Sequence, residues 1–453
     1  MTMREGSLEP PKRVPIDWQS AEFYDEAALE KEMRRVFDIC HGCRLCFNMC
    51  DSFPRLFDLV DAAGEEEMKG VATADFKKVV DACTLCDMCF MAKCPYVPPH
   101  AFNIDFPHLM LRYRAVEHRK GDIPGFWEKQ LTKTDRNGRA CSHIAGLANW
   151  SSKLDNGITR PLMEKVAGVD RNAALPKYHR RTLEKRAKRA KPELNKSAPA
   201  YGRKAAIFAT CFSNYNNPDI GTALMRVLAH NGVETEVVYP GCCGMPLLEH
   251  GDIAAVAESA KKVSAALKPY IDKGYDVVAL VPSCALMLKF EWPLILPGHP
   301  EVEALGKATR DAAQYIVELA KKPGPGLAPG LKPLEGGVTL HISCHSRAQN
   351  MGQKATEMLR LIPGIDLKVI ERCSGHGGSW GVMKANFETA MKVGRPVAKQ
   401  AAEAKKQFVA SECPLAGMHV LQGMERIAAE GKIMPDRAPH PIELFAKAYG
   451  LAD

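Results

Sequence analysis

Eight cysteines in two tight runs near the N-terminus constrain this chain more than any other feature. The first run is Cys40-x2-Cys43-x2-Cys46-x3-Cys50, and the second is Cys83-x2-Cys86-x2-Cys89-x4-Cys94 followed by Pro95. Three thiolates spaced by two residues reach three irons of one cube, and the remote fourth cysteine of each run serves the other cube when two runs occur together. The spacing therefore predicts two [4Fe–4S] clusters. Cys40, Cys43, Cys46 and Cys94 are the expected ligands of one, and Cys83, Cys86, Cys89 and Cys50 those of the other. Asp51 stands where such a run usually has proline, and the second run has one extra residue before Cys94. Neither departure removes a ligand. Structural zinc prefers two Cys-x2-4-Cys pairs separated by a longer loop, which these runs fit poorly. His41, beside Cys40, reads as a hydrogen-bonding or exposed residue.

Sixteen cysteines are present in all. No run approaches the roughly 18–20 apolar residues of a membrane helix, and the opening MTMREGSLEPPKRVP lacks the apolar core of a signal peptide. The expected location is the cytoplasm, where disulfides are rare and cysteine clusters serve metals. Hydrophobic residues make up 46% and charged residues 25% of the 453, and the net charge is +8. That balance is ordinary for a globular protein. It suits docking to an acidic partner or an anionic membrane face and does not argue for nucleic acid.

Residues 1–30 read as a polar lead-in with a short helix at 27–37, and helices are expected at 76–81 and 107–118. Weaker helical stretches lie near 143–155 and 159–168. The basic stretch 178–196 reads as a linker or a solvated helix. From residue 203 short apolar strands alternate with helices, which predicts parallel pairing with right-handed crossovers. Strands are expected at 204–210, 235–239 and 276–281, with helices at 223–230 and 253–271. The pattern repeats with strands at 337–343, 367–371 and 408–411 and helices at 354–361 and 387–404. Cys211, Cys242 and Cys284 match Cys344, Cys373 and Cys413 at offsets of 133, 131 and 129 residues. Such register points to an internal duplication, with the Pro-, Gly- and Lys-rich stretch 321–333 as the linker.

The fold class expected is thus α+β with α/β parts: a mainly helical two-cluster ferredoxin-type domain at 1–120, a helical basic connecting segment at 121–200, and two duplicated βαβ cysteine-rich domains with parallel sheets at 201–325 and 335–453. Cys211, Cys242, Cys243 and Cys284 all fall at carboxyl ends of strands, where open α/β sheets place their sites. They form a candidate third cluster or metal site. Cys141 stands alone and reads as a free structural thiol.

The layout resembles the cysteine-rich "CCG" domain family of heterodisulfide reductase and its relatives. Two ferredoxin runs ahead of two such domains is the plan of iron–sulfur subunits of the anaerobic glycerol-3-phosphate dehydrogenase type, and of those of glycolate and lactate oxidation. The family pattern is a cysteine, then Cys-Cys-Gly, then Cys-x2-Cys in each copy. Here Met287 replaces the last cysteine of the first copy, and Ser374 and Ala416 replace two of the second. The second copy keeps Cys344, Cys373 and Cys413, which His345 or His376 would complete as a Cys3His site suited to zinc. Whether the cysteine-rich domains hold an iron–sulfur cluster or zinc stays open.

The resemblance implies an electron-transfer subunit, not catalytic alone, with a flavoprotein dehydrogenase on one side and a quinone or another redox protein on the other. It also implies peripheral contact with the inner face of the cell membrane. No Gly-x-Gly-x-x-Gly after a strand and no Walker loop points to a nucleotide site in this chain. The alternative is a thiol or heterodisulfide reductase using a cluster in the first cysteine-rich domain. A purely structural zinc protein is a third reading.

Overall fold

The Asp25 carboxylate accepts the Ala28 N–H and starts α1 (Glu26–Cys43), whose Leu29, Met33, Val36 and Phe37 share one buried face. The helix expected at 27–37 is therefore present but runs on through Cys40 to Cys43. The structure, a computed structural model, describes residues 10–121, 126–428 and 434–452. The first nine residues of the polar lead-in lie outside the described residues.

Four more helices complete the N-terminal domain: α2 (Ser52–Ala62), α3 (Phe76–Asp81), α4 (Met88–Ala92) and α5 (Phe106–Lys120). They close on an aromatic core. Phe53 and Phe106 lie 4.7 Å apart between ring centres, and Phe37 meets Phe76 edge-on at 5.3 Å.

The connecting segment holds α6 (Phe126–Leu131), α7 (Thr134–His143), α8 (Ala145–Ser151), α9 (Thr159–Ala167) and α10 (Leu183–Arg189). The expected stretches near 143–155 and 159–168 are found as α8 and α9. Neither α6 nor α7 was legible in the sequence: α6 is short, and α7 is polar along its length.

The first cysteine-rich copy runs β1 (Lys204–Phe208), α11 (Cys211–Tyr215), α12 (Pro218–His230), β2 (Glu234–Val238), α13 (Met245–Glu249), α14 (Ile253–Asp272), β3 (Asp276–Ala279), α15 (Pro282–Leu286), α16 (Trp292–Ile295), α17 (Pro300–Ala308), β4 (Thr309–Asp311) and α18 (Ala312–Ala320). The second runs β5 (Val338–His341), α19 (Cys344–Ala348), α20 (Lys354–Leu359), β6 (Leu367–Ile370), α21 (Phe387–Ala404), β7 (Phe408–Ser411), α22 (Pro414–Ile427) and α23 (Pro441–Ala448). Both sheets are parallel, in orders β2-β1-β3-β4 and β6-β5-β7. The first strand of each copy sits between the second and third, so the duplication read from the cysteines extends to topology. The extra edge strand β4 is three residues of Thr-Arg-Asp, too short and polar to show a period.

Alternation along β1 splits the core. Phe208 packs with Val277 and Ala279 on the face shared with the N-terminal domain. Ala205 and Ile207 face the other way, into a core that includes Val338, Leu340 and Phe445 of the second copy. The basic stretch at 178–196 is not simply solvated. Leu183 of α10 is buried on α12 over Gly221, where a Cβ would come within 2.1 Å of the leucine. Among the described residues no helix is long and apolar enough to cross a membrane.

One ion-pair knot ties the N-terminal domain to the first cysteine-rich copy. The Arg13 guanidinium pairs with Asp87 at 2.6 Å, Glu291 at 2.8 Å and Asp105 at 3.1 Å, and lies over the Phe90 ring. His108 reaches the same Glu291 at 3.2 Å. Asp87 and Glu291 are almost wholly buried. Removing the one strong cation leaves their charge uncompensated, a change that typically costs about 3–5 kcal/mol. Arg13→Met is therefore expected to lower the thermal midpoint by more than its loss of packing would, and Asp87→Asn in the same chain should recover part of the loss.

Candidate metal centre

The eight N-terminal thiols are gathered by backbone turns that the cysteine spacing demands. Cys40 and Cys43 ride the last turns of α1, which Arg44 ends in the left-handed region, its N–H bonded to the Cys40 carbonyl. Between Cys83 and Cys89 the chain coils tightly, with Leu85 at φ 47° and Asp87 at φ 63°. Side chains disfavour that region, and the Arg13 salt bridge holds Asp87 in it. The extra residue before Cys94 is absorbed by a turn in which the Cys94 N–H donates to the Cys89 carbonyl at 2.8 Å.

Two groups of thiols result. Cys40 faces Cys94, Cys46 and Cys43. Cys50 faces Cys86 and Cys83, and Cys89 faces the same pair. Each run thus sends its fourth cysteine to the other group of thiols. The groups adjoin where Cys46 faces Cys89. Burial, then the neighbouring thiolates, pushes the Cys40, Cys50 and Cys89 thiols well up and Cys46 to about 12. Cys83 and Cys94 rise to about 11, also chiefly by burial, with the Arg114 guanidinium moderating Cys83. Among the described residues no three Cys, His, Asp or Glu side chains converge on a single-ion geometry. A lone zinc ion draws its donors to about 2.0–2.3 Å of one point, whereas a four-iron cube spreads its thiolates over four corners. The donor sets fit a cube. His41 contacts Asp61 at 2.9 Å and takes no place among the thiols.

In the first cysteine-rich copy Cys211 opens α11, Cys242 and Cys243 follow β2, and Cys284 lies in α15. All four meet: Cys242 Sγ is 3.9 Å from Cys211 Sγ, and Cys243 Sγ is 3.3 Å from Cys284 Sγ. Gly244, at φ 83°, donates its N–H to Cys242 Sγ at 3.5 Å. Hydrogen bonds from the Cys211 and Cys243 thiols pull Cys242 well down, and those two rise in exchange.

The sequence did not reveal the lid over this site. Helix α7 brings Thr134 against the Cys211 and Cys242 thiols. Asp135 accepts the Cys242 N–H at 3.0 Å and the Tyr239 hydroxyl. Tyr178, lifted to about 12 by burial, bonds the half-buried Cys141. Only Tyr239 carried a signal, three residues ahead of the cysteine pair. Thr134 and Asp135 are distant in sequence and carry none.

The second copy departs from the expected single site of Cys344, Cys373, Cys413 and His376. Cys344 meets Cys373 and, across the domain boundary, Cys86 of the N-terminal group. Cys413 instead faces Cys284 of the first copy. His376 packs its ring 5.9 Å from His419, with Nε2 buried and without a hydrogen-bond partner. The reason lies in the loop after Cys373. A Cβ on Gly375 would sit 2.1 Å from the Ala390 carbonyl oxygen, and one on Gly394 2.2 Å from that of Ser374. The loop is pressed onto α21, which turns His376 towards α22. His345 hydrogen-bonds the Leu85 carbonyl at 3.4 Å, the role of a loop residue. The Cys373 thiol is lowered to about 7, chiefly by the hydrogen bond from Cys344. A cavity of about 380 Å³ joins Cys50, Cys83, Cys86 and Cys89 to Cys344 and Cys373.

A centre bound through the N-terminal thiolates must displace their protons. Because burial raises the thiols of Cys40, Cys46, Cys50, Cys83, Cys89 and Cys94, their protons are held more tightly in the empty chain, and loading becomes easier as pH rises. Iron bound per chain after anaerobic reconstitution is expected to increase from pH 6.5 to 8.5.

Comparison with known proteins agrees with this layout. Residues 32–120 match the citrate utilization protein B Fer4-like domain, and residues 205–289 and 338–420 each match the cysteine-rich domain. The chain is 27% identical over 322 residues to a subunit of the anaerobic glycerol-3-phosphate dehydrogenase of Escherichia coli K12, covering 70% of this chain and 76% of that protein. It is 27% identical over 255 residues to a subunit of the fumarate reductase (CoM/CoB) of Methanothermobacter marburgensis, 55% of this chain and 47% of the relative. Lactate utilization protein A of Oceanobacillus iheyensis is 28% identical over 217 residues, 46% of this chain and 83% of the relative. The chain thus carries a Fer4-like domain ahead of two CCG cysteine-rich domains and is homologous to a subunit of anaerobic glycerol-3-phosphate dehydrogenase.

Proposed function

We propose that this protein relays electrons from a flavin-dependent dehydrogenase to a quinone or another redox protein, at the inner face of the cell membrane. Cys40, Cys43, Cys46 and Cys94 hold one [4Fe–4S] cluster, and Cys83, Cys86, Cys89 and Cys50 hold the other. Cys211, Cys242, Cys243 and Cys284 hold a third cluster or metal. The observation that carries this reading is the adjacency of the two fourfold thiol groups through Cys46 and Cys89. Each cluster, when bound, takes up and releases one electron at a time.

The chain's own residues do the rest. Phe53, Phe57 and Phe106 wall the N-terminal thiols with hydrocarbon. Arg114 places positive charge beside the second group at Cys83, opposing the negative charge of thiolate ligation. Cys344 and Cys373 extend the line of sulfur from Cys86 into the second copy, and Cys413 faces the first copy's site. In this reading the units are 1–120, 121–200, 201–325 and 335–453, and the cysteine-rich copies lead electrons outward from the ferredoxin-type unit.

A thiol or heterodisulfide reductase is the second reading. The close Cys211–Cys242 and Cys243–Cys284 pairs favour it, and Met287 in place of the family's last cysteine weighs against it. Disulfide-dependent turnover by the isolated protein would select it.

Anaerobic purification with iron and zinc counts is the test. About eight irons are expected from the N-terminal pair and about twelve if the first cysteine-rich copy is loaded. Cys94→Ser should remove or convert the first cluster alone, and Cys50→Ser the second, each losing one of two dithionite-reduced paramagnetic signals. A zinc-loaded, iron-free preparation would overturn the reading.

A further inference from the structure

Part of the connecting segment is built inside out. Helix α9 turns Arg160 and Glu164 inward, where they are 2% and 9% exposed. Both are satisfied there. Arg160 donates to the carbonyls of Asp170, Arg171 and Ala173 at 2.6–3.0 Å. Glu164 pairs with Arg171 at 2.9 Å and Lys384 at 3.2 Å. The same helix turns Leu162 and Val166 outward, and Ile158 just ahead of it is 77% exposed. Helix α8, which carries no charge, also exposes hydrocarbon, at Leu147 and Trp150. Helix α6, which packs on α9, adds exposed Phe126 and Trp127.

An ordinary surface helix does the reverse, with charge outward and hydrocarbon inward. Nor is this a loosely held segment. The Asp170 N–H donates to the Val382 carbonyl at 2.8 Å, and the Lys384 N–H donates to that of Gly168 at 2.8 Å, which fasten α9 to the second cysteine-rich copy. The outward face is held in place and is apolar.

Charge indicates what covers it. Residues 126–191 contain sixteen Lys and Arg against six Asp and Glu, a net of +10, while the whole chain carries +8. Most of that surplus, +8 of the +10, lies in residues 171–191, which adjoin the exposed hydrocarbon through the hydrogen bonds between Asn149 and Tyr178. Lys129, Lys153 and Lys165 are interleaved with the exposed apolar residues. Protein–protein interface cores are depleted in lysine. Aromatic and aliphatic side chains set among lysines and arginines are the mark of helices lying in the boundary of an anionic bilayer.

We propose that residues 126–191 form an interfacial docking face that seats the protein on an anionic lipid surface, with Trp127, Trp150, Ile158 and Leu162 entering the headgroup boundary. This deepens the proposed relay to a membrane-side acceptor and rests on it for its purpose, though not for its test. The full chain, carrying its clusters, is sedimented with vesicles of phosphatidylcholine alone or mixed with phosphatidylglycerol. Binding to the mixed vesicles is expected, weakening as salt rises. The pair Ile158→Glu and Leu162→Glu, both at exposed positions, should cut partitioning about tenfold or more with iron content unchanged.

Independently of any folding change in that variant, the unsubstituted chain's tryptophan fluorescence should be quenched by lipids brominated near the headgroup. Trp127→Phe with Trp150→Phe should abolish the quenching. No association with the mixed vesicles, or no quenching on association, would overturn the proposal. So would a dimer dissolved by the glutamate pair without vesicle binding, which would give the face to a second copy. Vesicle binding that fails while reducible iron is retained counts against this face alone; iron-free protein that still binds vesicles counts against the relay alone.

Discussion

Crowded sulfur in a dry interior sets the terms for this molecule. The N-terminal thiols lie within an aromatic core, facing one another closely enough that each opposes its neighbours' ionisation. As thiolates they would repel and be poorly solvated, and as thiols they would fill space with weak hydrogen-bonding groups. A polynuclear iron centre removes the conflict by placing positive charge at the middle of each group. Nearby devices serve the same end. Arg114 reaches the Val80 and Glu249 carbonyls at 2.7 and 2.9 Å and lies beside Cys83. Arg13 holds the left-handed Asp87 inside the second loop while clamping that loop to the first cysteine-rich copy through Glu291.

The duplicated halves have taken different parts. The first keeps four converging thiols under a lid supplied by α7, so its site is closed by a segment that precedes it in the chain. The second keeps the sheet and the strand-end positions but spreads its cysteines. Cys344 meets both Cys373 and Cys86, while Cys413 faces Cys284. A degenerate copy thus becomes a bridge between the N-terminal thiols and the first copy. Its sulfur faces both neighbours because its own loop collapses on α21 through Gly375 and Gly394.

Much of the plan was legible because it is written locally. Cysteine spacing of two residues reports a tight turn, and the crossing of Cys50 and Cys94 follows from the reach of three neighbouring thiolates. Strands β1 to β3 and β5 to β7 are apolar runs between helices, and the cysteine register exposed the repeat. Misses had equally local causes. Strand β4 has no apolar run, α7 is polar throughout, and α9 carries Arg160 and Glu164 on its inward face, so helical periodicity gave its extent but not which side is buried.

Residue types and their spacing were enough to determine the two tight cysteine turns and the parallel duplicated halves, since each depends on contacts within a few residues or on a repeat along the chain. Which thiols of the second copy meet which partners, what covers Cys242, and where hydrocarbon faces outward were decided only by tertiary structure. Those contacts join residues tens to hundreds of positions apart. Their partners are selected by how helices and sheets pack, and no spacing along the chain records that.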